Sequence, residues 1–171
     1  MTGVTTSPDA FRPPWWQTLN VIFLLACVSM YFGTGWSLIL FSFPIAPKLT
    51  PSTYYLQFVP QVDAATWFFT RMTIAMIASA ALMLWKEWFT GYRWVPAVVL
   101  AGVITATVLT EMGIFPVNVE MAAGIKDQAR LNEVLAHWMR LNTMRVWLWT
   151  GQWLAMASYV ASKMARAVPL P

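Results

Sequence analysis

Charge is what this chain has least of. Only 11% of its 171 residues are Asp, Glu, Lys or Arg, against 58% that are hydrophobic. A soluble domain carries about a quarter charged residues, because it must clothe a water-facing surface. The shortfall excludes an ordinary soluble fold, and a mean hydropathy of +0.56 agrees. There is one cysteine, Cys27, inside an apolar run, which excludes a disulfide framework and a thiolate metal site. There is one histidine, His137, and one cannot build a multi-histidine metal centre. No glycine-rich phosphate loop, Cys-x-x-Cys, Glu-x-x-His or His-Glu-x-x-His is present, and no Ser, Thr or Tyr falls in a nucleophile motif. The net charge of +4 is scattered, so no nucleic-acid partner is expected.

What the chain has is length in apolar runs. A helix needs about 20 apolar residues to cross a hydrocarbon core. Four segments meet that length, at about 18–43, 65–85, 94–115 and 142–162. They are too long for barrel strands of about ten residues. The expected fold is all-α, an integral membrane antiparallel four-helix bundle in one domain, residues 17–166. Residues 1–16 read as a retained tail, since they lack the basic start and cleavage site of a signal peptide. Residues 167–171 form a short C-terminal tail.

The connections differ in character. Residues 44–63, rich in Pro, Tyr and Thr, read as an ordered cap on one face of the bundle, with room for a short interfacial helix. Residues 86–93 are a tight basic turn. Residues 117–141 have helical spacing and mixed charges, and predict an extra interfacial helix leading into the fourth span. Arg12, Lys86, Arg93, Lys163 and Arg166 fall on one side, which favours both termini in the cytoplasm. The expected setting is multi-pass, in a bacterial inner membrane.

Eleven tryptophans are several times ordinary usage. Trp15, Trp16, Trp85, Trp88 and Trp94 fall at the expected inner boundary, and Trp67, Trp138 and Trp147 nearer the outer one. An aromatic belt at the headgroups explains them. So would contact with a flat ligand.

Ionisable residues inside a span are expensive and mark sites. Arg71 lies roughly 9–10 Å into the second span, and Glu111 roughly 6–8 Å from the end of the third, at 1.5 Å per residue. Their levels match, so they are expected to pair. Trp138, Asn142 and Arg145 stand at i, i+4 and i+7 on one helical face. Asn118 follows Pro116 just beyond the third span. Folding would gather Arg71, Glu111, Asn118, Asn142 and Arg145 near the outer mouth, where they could hold an anionic or enolic group. The same cluster also serves a purely structural reading, in which pairing and snorkelling make burial tolerable. His137 is either an interfacial residue or one that transfers protons or ligates a haem or chlorin supplied by a complex.

The stretch Phe115-Pro116-Val117-Asn118, followed by a polar helix and then the run from His137 to Arg145, resembles the anthrone-oxygenase-like family of small four-helix membrane proteins. That family has a Pro-x-Asn element after its third helix and a Trp-x-x-x-Asn-x-x-Arg element opening its fourth. The matching residues are Pro116, Asn118, Trp138, Asn142 and Arg145. The resemblance implies a four-helix bundle and, in a few branches, oxidation of an anthrone to an anthraquinone without a metal cofactor. It places Asn118, Asn142 and Arg145 around an oxyanion, with His137 as a base. The chain departs from the family in its Tyr/Pro-rich first connection and its tryptophan load.

Two functions from different classes remain open. One is a membrane protein that binds a flat hydrophobic aromatic compound, or oxidises it without a metal. Its catalytic residues would be His137, Asn142 and Arg145, and its ligand-binding residues Arg71, Glu111, Asn118, Trp138 and Trp147. The alternative is a non-catalytic accessory subunit of a respiratory or photosynthetic complex, contacting partner helices, lipids or pigments. No intrinsic cofactor is expected, though a bound pigment, quinone or lipid fits either reading. Partners are membrane lipids, and either other membrane subunits or a homo-oligomer.

Overall fold

The computed structural model describes residues 14–167, and every regular element among them is helical. Arg12 and residues 168–171 lie outside the described residues, as does most of the N-terminal tail. The first helix, α1, spans Trp15–Ser37 and ends in a π-helical turn, Leu38–Ser42. A 3-10 turn at Ala46–Lys48 leads to α2, Tyr54–Glu87. The third, α3, spans Trp94–Leu109 and passes through a second π-helical turn, Thr110–Ile114, into α4, Phe115–Ala123. The last, α5, spans Gln128–Ala167.

Proline explains where the helices widen. It has no N–H for the carbonyl four residues back, and its ring needs room there. Pro44 follows the first π turn by two residues, and Pro116 follows the second by two. Each wide turn opens the backbone just ahead of a ring that could not fit a regular helix. Gly124 then breaks the chain between α4 and α5 with φ of 89°, the left-handed region that glycine enters without strain. Asp127 starts α5 by accepting the Arg130 N–H at 2.7 Å.

Three helical runs are long and apolar enough to cross a membrane: Trp15–Lys48, Tyr54–Glu87 and Trp94–Ala123. The fourth expected span, 142–162, falls inside α5 but is not among them. Asn142, Arg145 and Gln152 dilute the apolar residues of that helix. The second helix begins eleven residues before the expected Ala65, so part of the Tyr/Pro-rich connection is helix. Pro60 stands in its second turn. Of the stretch expected to form one interfacial helix, residues 128–141 are continuous with α5, while 117–123 belong to α4, beyond the break at Gly124.

Packing follows a closed cycle of neighbours, with α2 against α1 and α3, and α5 against α1 and α3. The contacts run in opposite order along neighbours. Asn20 bonds Ser79 while Tyr31 bonds Thr73, and Trp36 bonds Thr150 while Phe32 stacks on Trp153.

Two apolar cores result. The larger holds Leu24, Val28, Met76, Val99, Val103, Trp149 and Met156. The smaller holds Tyr54, Phe58, Ile114, Met121, Leu131, Leu135 and Trp138. At 1.5 Å per residue α2 is about 50 Å long and α5 about 60 Å, well beyond a hydrocarbon core of about 30 Å. The smaller core sits at the starts of α2 and α5. It is tied by Tyr54, whose hydroxyl donates to the Met121 carbonyl at 3.0 Å and accepts the Ile125 N–H.

Candidate functional site

Polar groups collect where the two cores meet. On α5 the residues Trp138, Asn142, Arg145, Trp149, Gln152, Met156 and Tyr159 alternate by four and three, which lines them along one face. All are buried except Arg145, which is partly buried. The second π turn brings Thr110 to the same level.

Arg145 is the centre. Its Nη1 donates to Thr110 Oγ1 at 3.2 Å and its Nη2 to the Asn142 side-chain oxygen. Thr110 donates in turn to the Ala106 carbonyl at 2.8 Å, and the Asn142 amide donates to the Trp138 carbonyl at 2.9 Å. Trp138 Nε1 donates to Asn118 Oδ1 at 3.1 Å, so α4 joins the array. Phe43 and Phe58 meet the Trp138 ring edge-on, with centroids 5.8 and 5.1 Å away. Below, the guanidinium lies 4.6 Å from the Trp149 ring, which tilts against Tyr31 at 4.8 Å.

Arg145 has no carboxylate within salt-bridge distance among the described residues. Its Nε is enclosed and has no partner. A guanidinium offers five N–H groups in a planar fork, and only the two Nη bonds are made. A cation held by neutral acceptors keeps its full charge available to an incoming oxyanion.

The structure gathers Asn118, Trp138, Asn142 and Arg145, four of the five residues shared with the two sequence elements. It leaves four others apart. Arg71 is exposed and lies over the Trp67 ring at 3.6 Å, and Glu111 is also exposed. They form no ion pair with each other among the described residues. Trp147 is 60% exposed, since two residues past Arg145 is more than half a turn around the helix. His137 is exposed, a quarter turn away from buried Trp138. Sequence reasoning missed Thr110, Trp149 and Tyr31. Trp149 was within reach of it, standing at i+4 from Arg145.

No family model, curated protein or solved structure matches this chain. Among the described residues no three His, Cys, Asp or Glu side chains come together as a metal site.

A second polar cluster ties the opposite end. Glu87 accepts from Tyr159 Oη at 2.7 Å and from Thr90, and meets Lys163 at 3.4 Å. Lys163 and Arg166 also stand over the Tyr92 ring. This cluster has both charges and closes on itself. The Arg145 cluster has one.

Proposed function

We propose that this chain is a membrane-integral binding protein for a hydrophobic aromatic compound bearing one anionic or enolic oxygen, with Arg145 as the anchor. The single observation that carries the reading is a guanidinium at the junction of two apolar cores with no acid beside it and donors unused. A lone intramembrane charge is costly and is retained where it serves a ligand or a path. Asn142 and Thr110 fix the fork, and Trp149 offers a flat face beneath it.

In this reading α5 is the fourth span of an antiparallel bundle. The smaller core lies beyond the outer surface, and both termini lie in the cytoplasm. The resemblance to anthrone oxygenases extends the proposal to chemistry. Arg145, Asn142 and Asn118 would stabilise the oxyanion of an anthrone enolate. Dioxygen would then oxidise that enolate, giving anthraquinone and water. His137 would have to turn inward to serve as the base.

A second reading, an accessory subunit of a larger membrane assembly, is favoured by the outward rings of Trp67, Trp85 and Trp147. It treats the Arg145 array as structural.

The test uses the full chain in native-lipid nanodiscs and quenching of its tryptophan fluorescence by anthrone and by anthracene, which lacks the oxygen. Saturable quenching by anthrone, weakened about tenfold in Arg145→Met, supports the binding reading. Equal quenching by both compounds, unchanged in Arg145→Met, removes it. Fixed amounts of other subunits in the purified particle would favour the second reading.

A further inference from the structure

Arg71 and Glu111 carry opposite charges that the folded chain holds apart. Neither has an oppositely charged partner among the described residues, and both are exposed. Arg71 has only the Trp67 ring beneath it.

Their depths agree. The helices α2 and α3 are neighbours joined by the turn between Glu87 and Trp94. Counting from that turn, Arg71 lies about 24 Å along α2 and Glu111 about 25 Å along α3 and the π turn that follows it, at 1.5 Å per residue. Each charge stands beside exposed apolar residues of its own helix, Arg71 with Trp67 and Ile74, and Glu111 just beyond Ile104 and Val108. The neighbouring helices α2 and α3 thus present outward apolar surface with a positive and a negative group at one level.

Copies of a membrane protein insert in one orientation, so a two-fold axis relating them stands along the membrane normal. Such an axis keeps every residue at its own depth and makes the contact self-complementary. Two exposed groups of opposite charge at equal depth on neighbouring helices are what that symmetry can pair twice over. We propose that this surface joins two copies of the chain, with Arg71 of each copy paired to Glu111 of the other. The two pairs remove four charges from lipid and bury the apolar residues around them. The inference is independent of what Arg145 binds.

Charge reversal separates a pair between copies from a pair within one. Arg71→Glu alone sets two acids against each other across the axis, and Glu111→Arg alone sets two bases. Mixing the two single variants restores both opposite pairs. Energy transfer between differently labelled copies, in vesicles of native lipid, reads the outcome. The wild-type chain is expected to self-associate, and each single variant to do so about tenfold more weakly. The mixture of the two is expected to return to the wild-type level. Helical circular dichroism of each variant checks that it has folded. A monomeric wild-type chain would overturn the proposal. So would single variants that associate normally, or a mixture that fails to associate, which would mean that any pairing is internal to one copy.

Discussion

Gly102 of α3 and Gln152 of α5 occupy one space: a methyl group on Gly102 would lie 2.5 Å from Gln152 Nε2 and 2.8 Å from its Cγ. Gln152 is 1% exposed, and neither end of its amide has a hydrogen-bond partner. An unpaired buried amide costs about 1–3 kcal/mol. Gln152→Leu is therefore expected to raise stability by an amount of that order, and Gly102→Ala to lower it. Because the two side chains collide, Gly102→Ala with Gln152→Ala should recover part of the loss. Thermal unfolding in a mild detergent measures all three. A Gln152→Leu chain less stable than the parent would mean that the amide is partnered in the membrane.

Arg145 bears on function more than on stability. Removing a partly buried charge that has no ion-pair partner relieves its desolvation, but it leaves the buried Asn142 side-chain oxygen without its donor, at about 1–3 kcal/mol. Arg145→Met should therefore leave the stability of the empty protein little changed, while removing affinity for an oxyanion. Parallel unfolding and quenching measurements check both. A variant that unfolds easily would show the guanidinium to be structural.

Tyr54 holds the break between α4 and α5 by bonding on both sides of it. Tyr54→Phe leaves the buried Ile125 N–H unpaired, at about 1–3 kcal/mol where water does not reach it, while the Met121 carbonyl keeps the Gly124 N–H at 3.3 Å. The expected readout is faster proteolysis at Gly124–Gln128 with the spans intact. Unchanged cleavage would show that other contacts hold the turn.

Arg130 bridges Glu120 at 2.7 Å and Glu133 at 2.8 Å on the exposed surface of the smaller core. Exposed pairs contribute little, so Arg130→Ala should cost little stability, and less in high salt. The carboxylates of Glu120 and Glu133 raise the pKa of Arg130 above its ordinary value. A raised folded-state pKa stabilises below the unfolded value and is lost only as pH climbs through the folded one. The difference between variant and parent should therefore be flat between about pH 6 and 9. A slope in that window would place another titrating group in the network.

The apolar runs were readable because helix length is set by the bilayer, and three of them stand as helices long enough to cross. The start of α2 was not. Pro51, Pro60 and the tyrosines read as an ordered cap with a short interfacial helix, yet the helix runs unbroken from Tyr54 into the span, with Pro60 accommodated in its second turn and Tyr54 drawn in by its contact with α4. At the site, spacing alone brought Trp138, Asn142 and Arg145 onto one face. Matching depth suggested that Arg71 meets Glu111, but depth says nothing of rotation about the helix axis. The π turn that carries Glu111 adds a rotation that no regular period contains. Thr110 was hidden for the same reason, one residue from a more conspicuous acid.

The polar layer of Thr110, Asn118, Asn142 and Arg145 lies between two cores that have no buried apolar residue in common. Cooperativity in a folded chain follows shared burial, and regions that share little open separately. The projecting ends of α2, α4 and α5 can therefore exchange their backbone hydrogens, and admit water, without unfolding the helices below. Such openings would cost only the smaller core. The boundary at which they stop is the level of the Arg145 guanidinium, so a cation with no acid beside it is also among the first enclosed groups that an opening would wet.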